Sequence, residues 1–289
     1  MRTWLRRYGI RPRKAWGQSF LVDPAIAERM VDSWNLSPGT GVLEIGAGAG
    51  ALTLPLIARG ATVIAVERDG RLCELLRERI AAEAPEGDAR VVEADILAFD
   101  PSPVLTGAQR WILAGNLPYA ITTPILEWAI GHREHFAWAA FMVQREVGDR
   151  LLAEPGTKAY GSFTVWMDYH VEVRRELSVG ARCFWPIPKV DSVVLRLTTR
   201  ARPPVDVPGA PALERVVRAA FSHRRKVLGG SLARGLGLER AAVDQVLREA
   251  GIDPRCRAEE CSITEFAALT RALVAEAMLK GGGPWQRKG

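Results

Sequence analysis

A glycine-rich turn constrains the fold of this chain more than any other stretch. Residues 42–50 read Val-Leu-Glu-Ile-Gly-Ala-Gly-Ala-Gly, and a helical pattern begins directly after the last glycine. The apolar start predicts a strand buried on both faces, and the glycines predict a turn where the backbone closely approaches a ligand. A strand, a glycine turn and a helix in this order are typical of a nucleotide-binding unit in a parallel α/β sheet.

The turn fits two classes of cofactor. Gly46, Gly48 and Ala51 satisfy the dinucleotide pattern G-x-G-x-x-G/A. The S-adenosylmethionine pattern E-x-G-x-G-x-G is satisfied by Glu44, Gly46, Gly48 and Gly50. The turn alone therefore leaves a nicotinamide dehydrogenase and a methyltransferase both open.

Alternating strands and helices from residue 42 to about residue 145 predict a parallel sheet with helices on both faces. We predict strands at 42–46, 62–67, 90–94, 111–115 and 137–143, and helices at 23–35, 50–59, 69–83 and 123–131. Ligands bind such sheets at the carboxyl ends of the strands. Glu67, Asp95 and Asn116 follow three successive strands, and Glu67 would hold ribose hydroxyls in either cofactor class.

The pattern changes after residue 145. We predict helices at 146–152 and 161–169, and an antiparallel hairpin of strands at 173–179 and 191–198, because no crossover helix fits between those strands. The proline-rich stretch 202–209 predicts a domain boundary. Residues 1–201 would form a Rossmann-like domain with a flexible basic N-terminal arm. Residues 202–289 would form a small helical domain with a disordered tail and helices at 211–221, 224–234, 239–250 and 263–279.

Charge and composition indicate the kind of partner. The formal net charge is +6, and six basic residues precede the first acidic one, Asp23. This distribution favours a polyanionic partner. The four cysteines form no CxxC pair and the four histidines add no metal-ligand pattern, so we expect no metal. The sequence has no apolar run of transmembrane length and no apolar signal core, which predicts a soluble cytoplasmic protein; we expect a monomer.

The stretch Asn116-Leu117-Pro118-Tyr119 decides between the cofactor classes. An exocyclic amine on a planar base is a poor nucleophile because its lone pair is delocalised into the ring. Two acceptors on its hydrogens, the side chain of Asn116 and the backbone carbonyl of Leu117 or Pro118, favour a pyramidal nitrogen. Tyr119 would stack on a base extracted from its helix, worth roughly 1–3 kcal/mol. The alternative is an ordinary strand-to-helix turn, but with Glu67 and Asp95 in order we favour methyl transfer.

Further motifs accompany these: Gly17-Gln18-Ser19-Phe20-Leu21, Gln144-Arg145-Glu146-Val147, Pro155 to Gly161, Phe184 to Ser192, and Phe221 to Lys226. With them, nearly the whole chain resembles the ribosomal RNA small-subunit adenine N6,N6-dimethyltransferases, whose loss confers kasugamycin resistance in bacteria. The resemblance implies an S-adenosylmethionine-dependent enzyme with a Rossmann-like fold. It would place two methyl groups on each of two adjacent adenines near the 3′ end of small-subunit rRNA, during assembly of the small ribosomal subunit.

The resemblance also implies roles for single residues. Ser19 and Leu21 would contact the methionine end of the cofactor, Asp95 the adenine amine of the cofactor, and Asn116 both cofactor and target. The other implied cofactor contacts are Glu44, Gly46, Gly48, Gly50, Glu67 and Ile96. Apart from the resemblance, Tyr119 would stack on one face of the target base, and Phe184 either covers the other face or packs in the core. The family usually has asparagine where this chain has Ser19.

An electrostatic grip on RNA is expected from Arg11, Arg13, Lys14, Arg145, Lys158, Arg224, Arg225 and Lys226. One alternative is a related enzyme group that methylates large-subunit rRNA and confers macrolide resistance. The Pro155 to Gly161 segment and the 224–226 cluster match the small-subunit group better. A non-enzymatic assembly factor is the remaining alternative, although the cofactor acids and Asn116 favour catalysis.

Overall fold

The structure is a computed structural model that describes residues 1–12, 17–107, 110–223, 225–276 and 278. Its strands are β1 (Phe20–Leu21), β2 (Gly41–Ile45), β3 (Thr62–Glu67), β4 (Ala89–Glu93), β5 (Trp111–Asn116), β6 (Ala139–Gln144), β7 (Val171–Val179), β8 (Phe184–Trp185) and β9 (Ser192–Thr199). Its helices are α1 (Arg2–Arg7), α2 (Pro24–Ser33), α3 (Thr53–Ala58), α4 (Gly70–Glu83), α5 (Thr122–Gly131), α6 (Arg145–Leu151), α7 (Ser162–His170), α8 (Ala210–Phe221), α9 (Leu228–Leu236), α10 (Arg240–Glu249) and α11 (Ile263–Ala275).

The chain divides into two compact units. One comprises Met1–Gly148 and Val173–Thr199, and the other comprises Asp149–Glu172 and Arg200–Gly289. The division near residue 200 matches the predicted boundary, but residues 149–172 belong to the second unit rather than the first. The reason is packing, since Tyr160 and Val165 share one hydrophobic core with the C-terminal helices.

The first unit contains a seven-stranded sheet in the order β4-β3-β2-β5-β6-β9-β7. The pairs β2 with β3, β2 with β5, β3 with β4 and β5 with β6 are parallel, whereas β9 runs antiparallel to β6. All five residues of β2 are buried, which explains its apolar run. The parallel register gathers the carboxyl ends of the central strands at one edge. This confirms the predicted α/β fold, and β7 and β9 are neighbours as expected.

Local sequence explains where several helices begin. The Asp23 side chain accepts a hydrogen bond from Ala25 N, with proline at the first helical position of α2. Ser262 and Glu265 form the predicted capping box of α11. The helix predicted at 224–234 begins only at Leu228, and the tail from residue 279 onward lies outside the described residues.

The N-terminal segment is not the flexible arm that its charge predicts. Residues 2–7 form α1, and Leu5 is fully buried in a small hydrophobic core with Phe20 and Leu72. Trp4 Nε1 donates to Glu83 Oε1 at 2.8 Å. The prediction was wrong because it counted the basic residues of the segment and overlooked its apolar ones.

The second unit is helical, as predicted for the C-terminal part. Its core includes Leu213, Val216, Leu232 and Phe266, all almost fully buried. Within the described part of the chain, no helix is both long enough and apolar enough to span a membrane.

Candidate active site

A cleft opens at the carboxyl ends of β2, β3 and β5 and is lined by residues of the first unit. It brings together nearly all of the predicted cofactor and acceptor residues: Ser19, Leu21, Glu44, Gly46, Gly48, Glu67, Asp95, Ile96, Asn116, Leu117, Pro118 and Tyr119. Two predicted residues do not line it, Gly50 and Phe184. The order of acids on successive strands therefore predicted a real convergence.

The glycine turn follows β2 with a backbone that favours glycine. Gly46, Gly48 and Gly50 have φ of +67°, +56° and +82°. Gly46 N and Ala47 N both donate to the carbonyl of Val66, which fixes the turn against β3. A Cβ on Gly50 would lie 2.6 Å from a methyl carbon of Leu76. Gly50 thus allows the turn to pack on α4 instead of forming the wall of the cleft.

Glu67 ends β3 with a buried carboxylate held by three backbone donors. Oε2 accepts from Gly48 N at 2.9 Å, and Oε1 accepts from Arg68 N and Asp69 N at 2.8 and 2.9 Å. Burial raises the pKa of Glu67, and these three N–H groups oppose the rise. The carboxylate is therefore oriented before any ligand arrives.

Glu44 is a second buried acid, only 2% exposed, on β2. Its Oε2 accepts from Thr53 Oγ1 at 2.6 Å, which ties β2 to α3. Burial raises the pKa of Glu44 to about 8; the Thr53 hydrogen bond opposes the rise, and repulsion from Glu67 adds to it. Glu44 is accordingly protonated in most molecules at neutral pH.

Asp95 follows β4 and shapes the third side of the cleft. Its Oδ1 accepts from Leu97 N at 3.1 Å and so caps the 3-10 helix Ile96–Ala98. Its Oδ2 lies 3.3 Å from Arg68 Nη1. These contacts hold Asp95 and Ile96 at the cleft wall.

Asn116 ends β5 with its amide in a defined orientation. Nδ2 donates to the backbone carbonyl of Ser19 at 3.2 Å. Oδ1 is buried, and within the described residues it has no hydrogen-bond partner. A buried acceptor without a donor costs free energy and indicates a ligand that supplies one.

The backbone after Asn116 offers a second acceptor. The carbonyl of Pro118 already accepts from Ile121 N and Thr122 Oγ1, both at 3.1 Å. This leaves the carbonyl of Leu117 as the better of the two predicted backbone acceptors. Leu117 N donates to Met142 O at 3.0 Å, which anchors this turn to β6.

Tyr119 is held by a residue to which the sequence assigned no role. Its hydroxyl lies 2.8 Å from Oγ of Ser192, a fully buried residue at the start of β9. Burial raises the pKa of Tyr119, and the Ser192 hydrogen bond opposes the rise. Ser192 is the last residue of the Phe184 to Ser192 motif. Its position at the start of a predicted strand was the only signal that the sequence offered.

Ser19 was expected to contact the methionine end of the cofactor with its side chain, but in the structure its backbone carbonyl and its hydroxyl both bind other residues of the protein. Its carbonyl orients Asn116, while its Oγ donates to the carbonyl of Pro186 at 2.8 Å. Only the lone pairs of Oγ are left for a ligand. Gly17 makes this placement possible, because at φ +62° a Cβ there would lie 2.9 Å from Ala120 N. The antiparallel pairing of β1 with β8 places Ser19 beside Pro186.

Phe184 does not have the position that base stacking requires. It is fully buried and packs in the same core as Met142 and Val194. No face of its ring is open to a base, so the predicted stacking role is corrected to a core role. The neighbouring Trp185 is partly exposed and stacks on Phe20, with ring centroids 6.5 Å apart.

Five of the eight predicted RNA-binding residues are exposed: Arg11, Arg145, Lys158, Arg225 and Lys226. The other three lie outside the described residues: Arg13, Lys14 and Arg224. Arg145 lies 3.5 Å from Asp191, a pair that solvent screens. In the ranges that the structure describes, no group of three or more metal-ligating side chains occurs.

Known proteins are similar to this chain in both sequence and fold. The family described as "Ribosomal RNA adenine dimethylase" matches residues 9–274. Ribosomal RNA small subunit methyltransferase A of Geobacter metallireducens is 43% identical over 94% of this chain and 98% of its own length. The protein of the same name from Geobacillus kaustophilus is 41% identical over 93% of each chain.

Solved structures agree on the fold. A dimethyladenosine transferase from Plasmodium falciparum superposes with a TM-score of 0.73 at 23% identity, over 89% of this chain and 98% of that one. The 23S rRNA methyltransferase ErmE superposes with a TM-score of 0.65 at 29% identity, over 88% and 99%. By the match over nearly its full length and by its close relatives, this chain belongs to the ribosomal RNA adenine dimethylase family.

Proposed function

We propose that this chain uses S-adenosylmethionine to dimethylate the N6 amines of two adjacent adenines near the 3′ end of small-subunit rRNA, during biogenesis of the small ribosomal subunit. The observation that carries the proposal is the buried Oδ1 of Asn116, which has no hydrogen-bond partner among the described residues and lies in the cleft that also holds Glu67 and Asp95. Relatives named for the small subunit are 41% and 43% identical, whereas the 23S enzyme ErmE is 29% identical. This difference favours the small-subunit substrate over the large-subunit alternative.

The cleft fits an adenosyl cofactor. Gly46 and Gly48 leave the floor of the cleft without side chains, so a ligand can approach the backbone. Glu67 would accept from a ribose hydroxyl through Oε2, which keeps a lone pair beyond its bond from Gly48 N, whereas Arg68 N and Asp69 N occupy both lone pairs of Oε1. Asp95 would accept from the adenine amine, with Ile96 packing on the ring. When bound, S-adenosylmethionine supplies an electrophilic methyl group.

The acceptor residues would activate the target amine. Asn116 Oδ1 and the Leu117 carbonyl would each accept a hydrogen bond from one N–H of the amine. These bonds disfavour delocalisation of the nitrogen lone pair into the ring. A carbon–nitrogen bond would form at N6 while the sulfur–methyl bond of the cofactor breaks, so that S-adenosylhomocysteine leaves and one amine proton passes to solvent. No general base is required, because the alkylated amine is cationic and acidic until that proton leaves. Proximity in the cleft supplies several kcal/mol.

Tyr119 would stack on the extracted adenine while its hydroxyl stays bound to Ser192. After the first transfer the amine keeps one hydrogen, so the second turnover uses only one of the two acceptors. Tyr119 therefore matters more in the second transfer, when the ring face must hold a bulkier amine in place.

RNA affinity would come from exposed cations in both units, among them Arg145, Lys158, Arg225 and Lys226. Each phosphate that they neutralise releases counterions, so log affinity falls linearly with log salt. We expect a single charge reversal at Arg225 to weaken binding of RNA regardless of its sequence and to flatten this salt dependence.

The test is methyl transfer from labelled S-adenosylmethionine to undermethylated small and large ribosomal subunits, with the modified positions mapped by mass spectrometry. We expect dimethyladenosine at two adjacent adenines of small-subunit rRNA and none in the Asn116→Ala variant. Methylation of large-subunit RNA instead would contradict the substrate assignment. Transfer that persists undiminished in the variant would contradict the role of Asn116.

A further inference from the structure

An exposed apolar segment lies next to the acceptor side of the cleft. In the described part of the chain, four large hydrophobic side chains are exposed: Leu97, Ile187, Val190 and Val227. Two of them fall within five residues, Pro186 to Val190, which we name the rim segment. Ile187 is the most exposed of all, at 64%. Contiguous exposed apolar surface marks interaction sites, and the exposed Pro186 extends the apolar surface of this segment.

One hydrogen bond joins the rim segment to Ser19, and a second joins Ser192, two residues beyond the segment, to Tyr119. At its start, Pro186 O accepts from Ser19 Oγ, and the carbonyl of Ser19 orients Asn116. Just beyond its end, Ser192 Oγ bonds the hydroxyl of Tyr119. A residue spans at most about 3.5 Å of chain, so Ile187 cannot lie far from either tie. The rim segment therefore lies between two contacts that support the acceptor residues.

Extraction of a base from its stack leaves a gap that an apolar side chain of the rim segment can fill. Removing an adenine from its stack costs a few kcal/mol and leaves a gap beside the flanking bases. Proteins that unstack nucleic acids commonly insert an apolar side chain into such a gap. Ile187 offers that side chain, and the exposed Lys189, two residues on, offers a cation for the adjoining phosphate.

We propose that the rim segment is an RNA-contacting wedge in which Ile187 packs against the bases that flank the extracted adenine. The partner is RNA rather than a ribosomal protein because the segment lies between Pro186, bonded to the serine that orients Asn116, and Ser192, bonded to Tyr119. This inference rests on the proposed function and adds to it the residue that stabilises the extracted state.

The wedge can be tested on a protein-free RNA hairpin from the 3′ end of small-subunit rRNA, with 2-aminopurine in place of the target adenine. The fluorescence of 2-aminopurine rises on unstacking, and this base lacks the N6 amine, so the signal does not depend on methyl transfer. Ile187→Ala should weaken hairpin binding by about tenfold, as expected for a packed apolar anchor, and should reduce the fluorescence rise. Ile187→Met should retain most of both.

Leu97→Ala is the matched control, because it truncates another exposed aliphatic side chain, 41% exposed, outside the rim segment. We expect it to bind the hairpin like the unaltered protein. Equal losses in the Ile187 and Leu97 variants would overturn the wedge. So would a loss for Ile187→Ala that occurs with assembled subunits but not with the hairpin, since it would indicate a protein contact. Hairpin binding that depends on Ile187 in a protein without adenine methylation would contradict the proposed function and keep the wedge.

Discussion

The two halves of the cleft are built in opposite ways. In the cofactor half, three backbone N–H groups hold the carboxylate of Glu67, and Thr53 holds the carboxyl group of Glu44. In the acceptor half, Oδ1 of Asn116 lacks a partner within the described residues, and the nearby Ile187 is mostly exposed. The carboxyl groups of the cofactor half are thus held in place within the protein, whereas in the proposed function the substrate supplies the partner of Asn116.

The halves also differ in how far their supports lie along the chain. The contacts of Glu67 come from the glycine turn and from its own two following residues. Asn116 depends on Ser19, 97 residues away, and Tyr119 depends on Ser192, 73 residues away. We therefore expect substitutions to separate cofactor binding from acceptor activation.

The largest expected effect on cofactor binding comes from Glu67→Ala. The variant loses the charged acceptor for the ribose and leaves the N–H groups of Gly48, Arg68 and Asp69 without their acceptor. At about 1.5–3 kcal/mol for a hydrogen bond to a charged group, affinity for S-adenosylhomocysteine should fall by about thirtyfold or more in titration calorimetry. Glu93→Ala, which removes an exposed acid at the end of β4, should change that affinity little. Equal affinities of the two variants would contradict the assignment.

A smaller effect concerns stability and pH. The pKa of Glu44 in the folded chain is about 8, against an ordinary 4.5. Between these values the folded chain binds more protons than the unfolded chain, so the free energy of unfolding falls as pH rises, by up to about 1.4 kcal/mol per pH unit. Below pH 4.5 this contribution is fully present, and above pH 8 it is lost.

Denaturant unfolding of the unaltered protein and of Glu44→Gln at several pH values between 5 and 8 measures this contribution as a difference of slopes. The amide cannot ionise, so the variant should lose less stability over this range. Parallel curves would show that Glu44 is ionised in the fold and would contradict its protonated state.

The smallest effect separates a positioning role from a structural one. Ser192→Ala and Tyr119→Phe each remove one side of the same hydrogen bond, worth about 0.5–1.5 kcal/mol, and should each slow methyl transfer by about threefold to tenfold at saturating cofactor. Because they share one bond, the double variant should be no slower than either single variant. The monomethyl share of the product should rise. Additive losses, or an unchanged product ratio, would show that Ser192 does not act through Tyr119.

Sequence reasoning predicted which residues of the cofactor half lie together because its signals are local. The glycine turn, an acid directly after a strand and the buried run of β2 each occupy only a few consecutive residues. It also predicted the helix starts at Asp23 and Ser262, where a side chain caps its own helix.

The acceptor half was harder to predict because the residues that hold it are distant in sequence and the strands that place Ser19 are very short. Strands β1 and β8 have two residues each, too few for any periodicity, and the bond from Ser19 to Pro186 spans 167 residues. For Phe184 the sequence left a base-stacking role and a core role open, because local sequence does not reveal whether an aromatic ring is buried. The structure shows that the ring is fully buried. The same limit applied to α1, whose buried Leu5 is surrounded by basic residues.

The central claim, that the acceptor half acts separately from the cofactor half, is tested most directly on Asn116→Ala. The measurement pairs the single-turnover rate of methyl transfer at saturating cofactor with the equilibrium affinity for S-adenosylhomocysteine. We predict a rate lower by about 10²–10³, as for removal of one preorganised polar group, and an affinity that falls far less. Equal losses of rate and affinity would contradict the account, because Asn116 would then serve the cofactor rather than the target adenine.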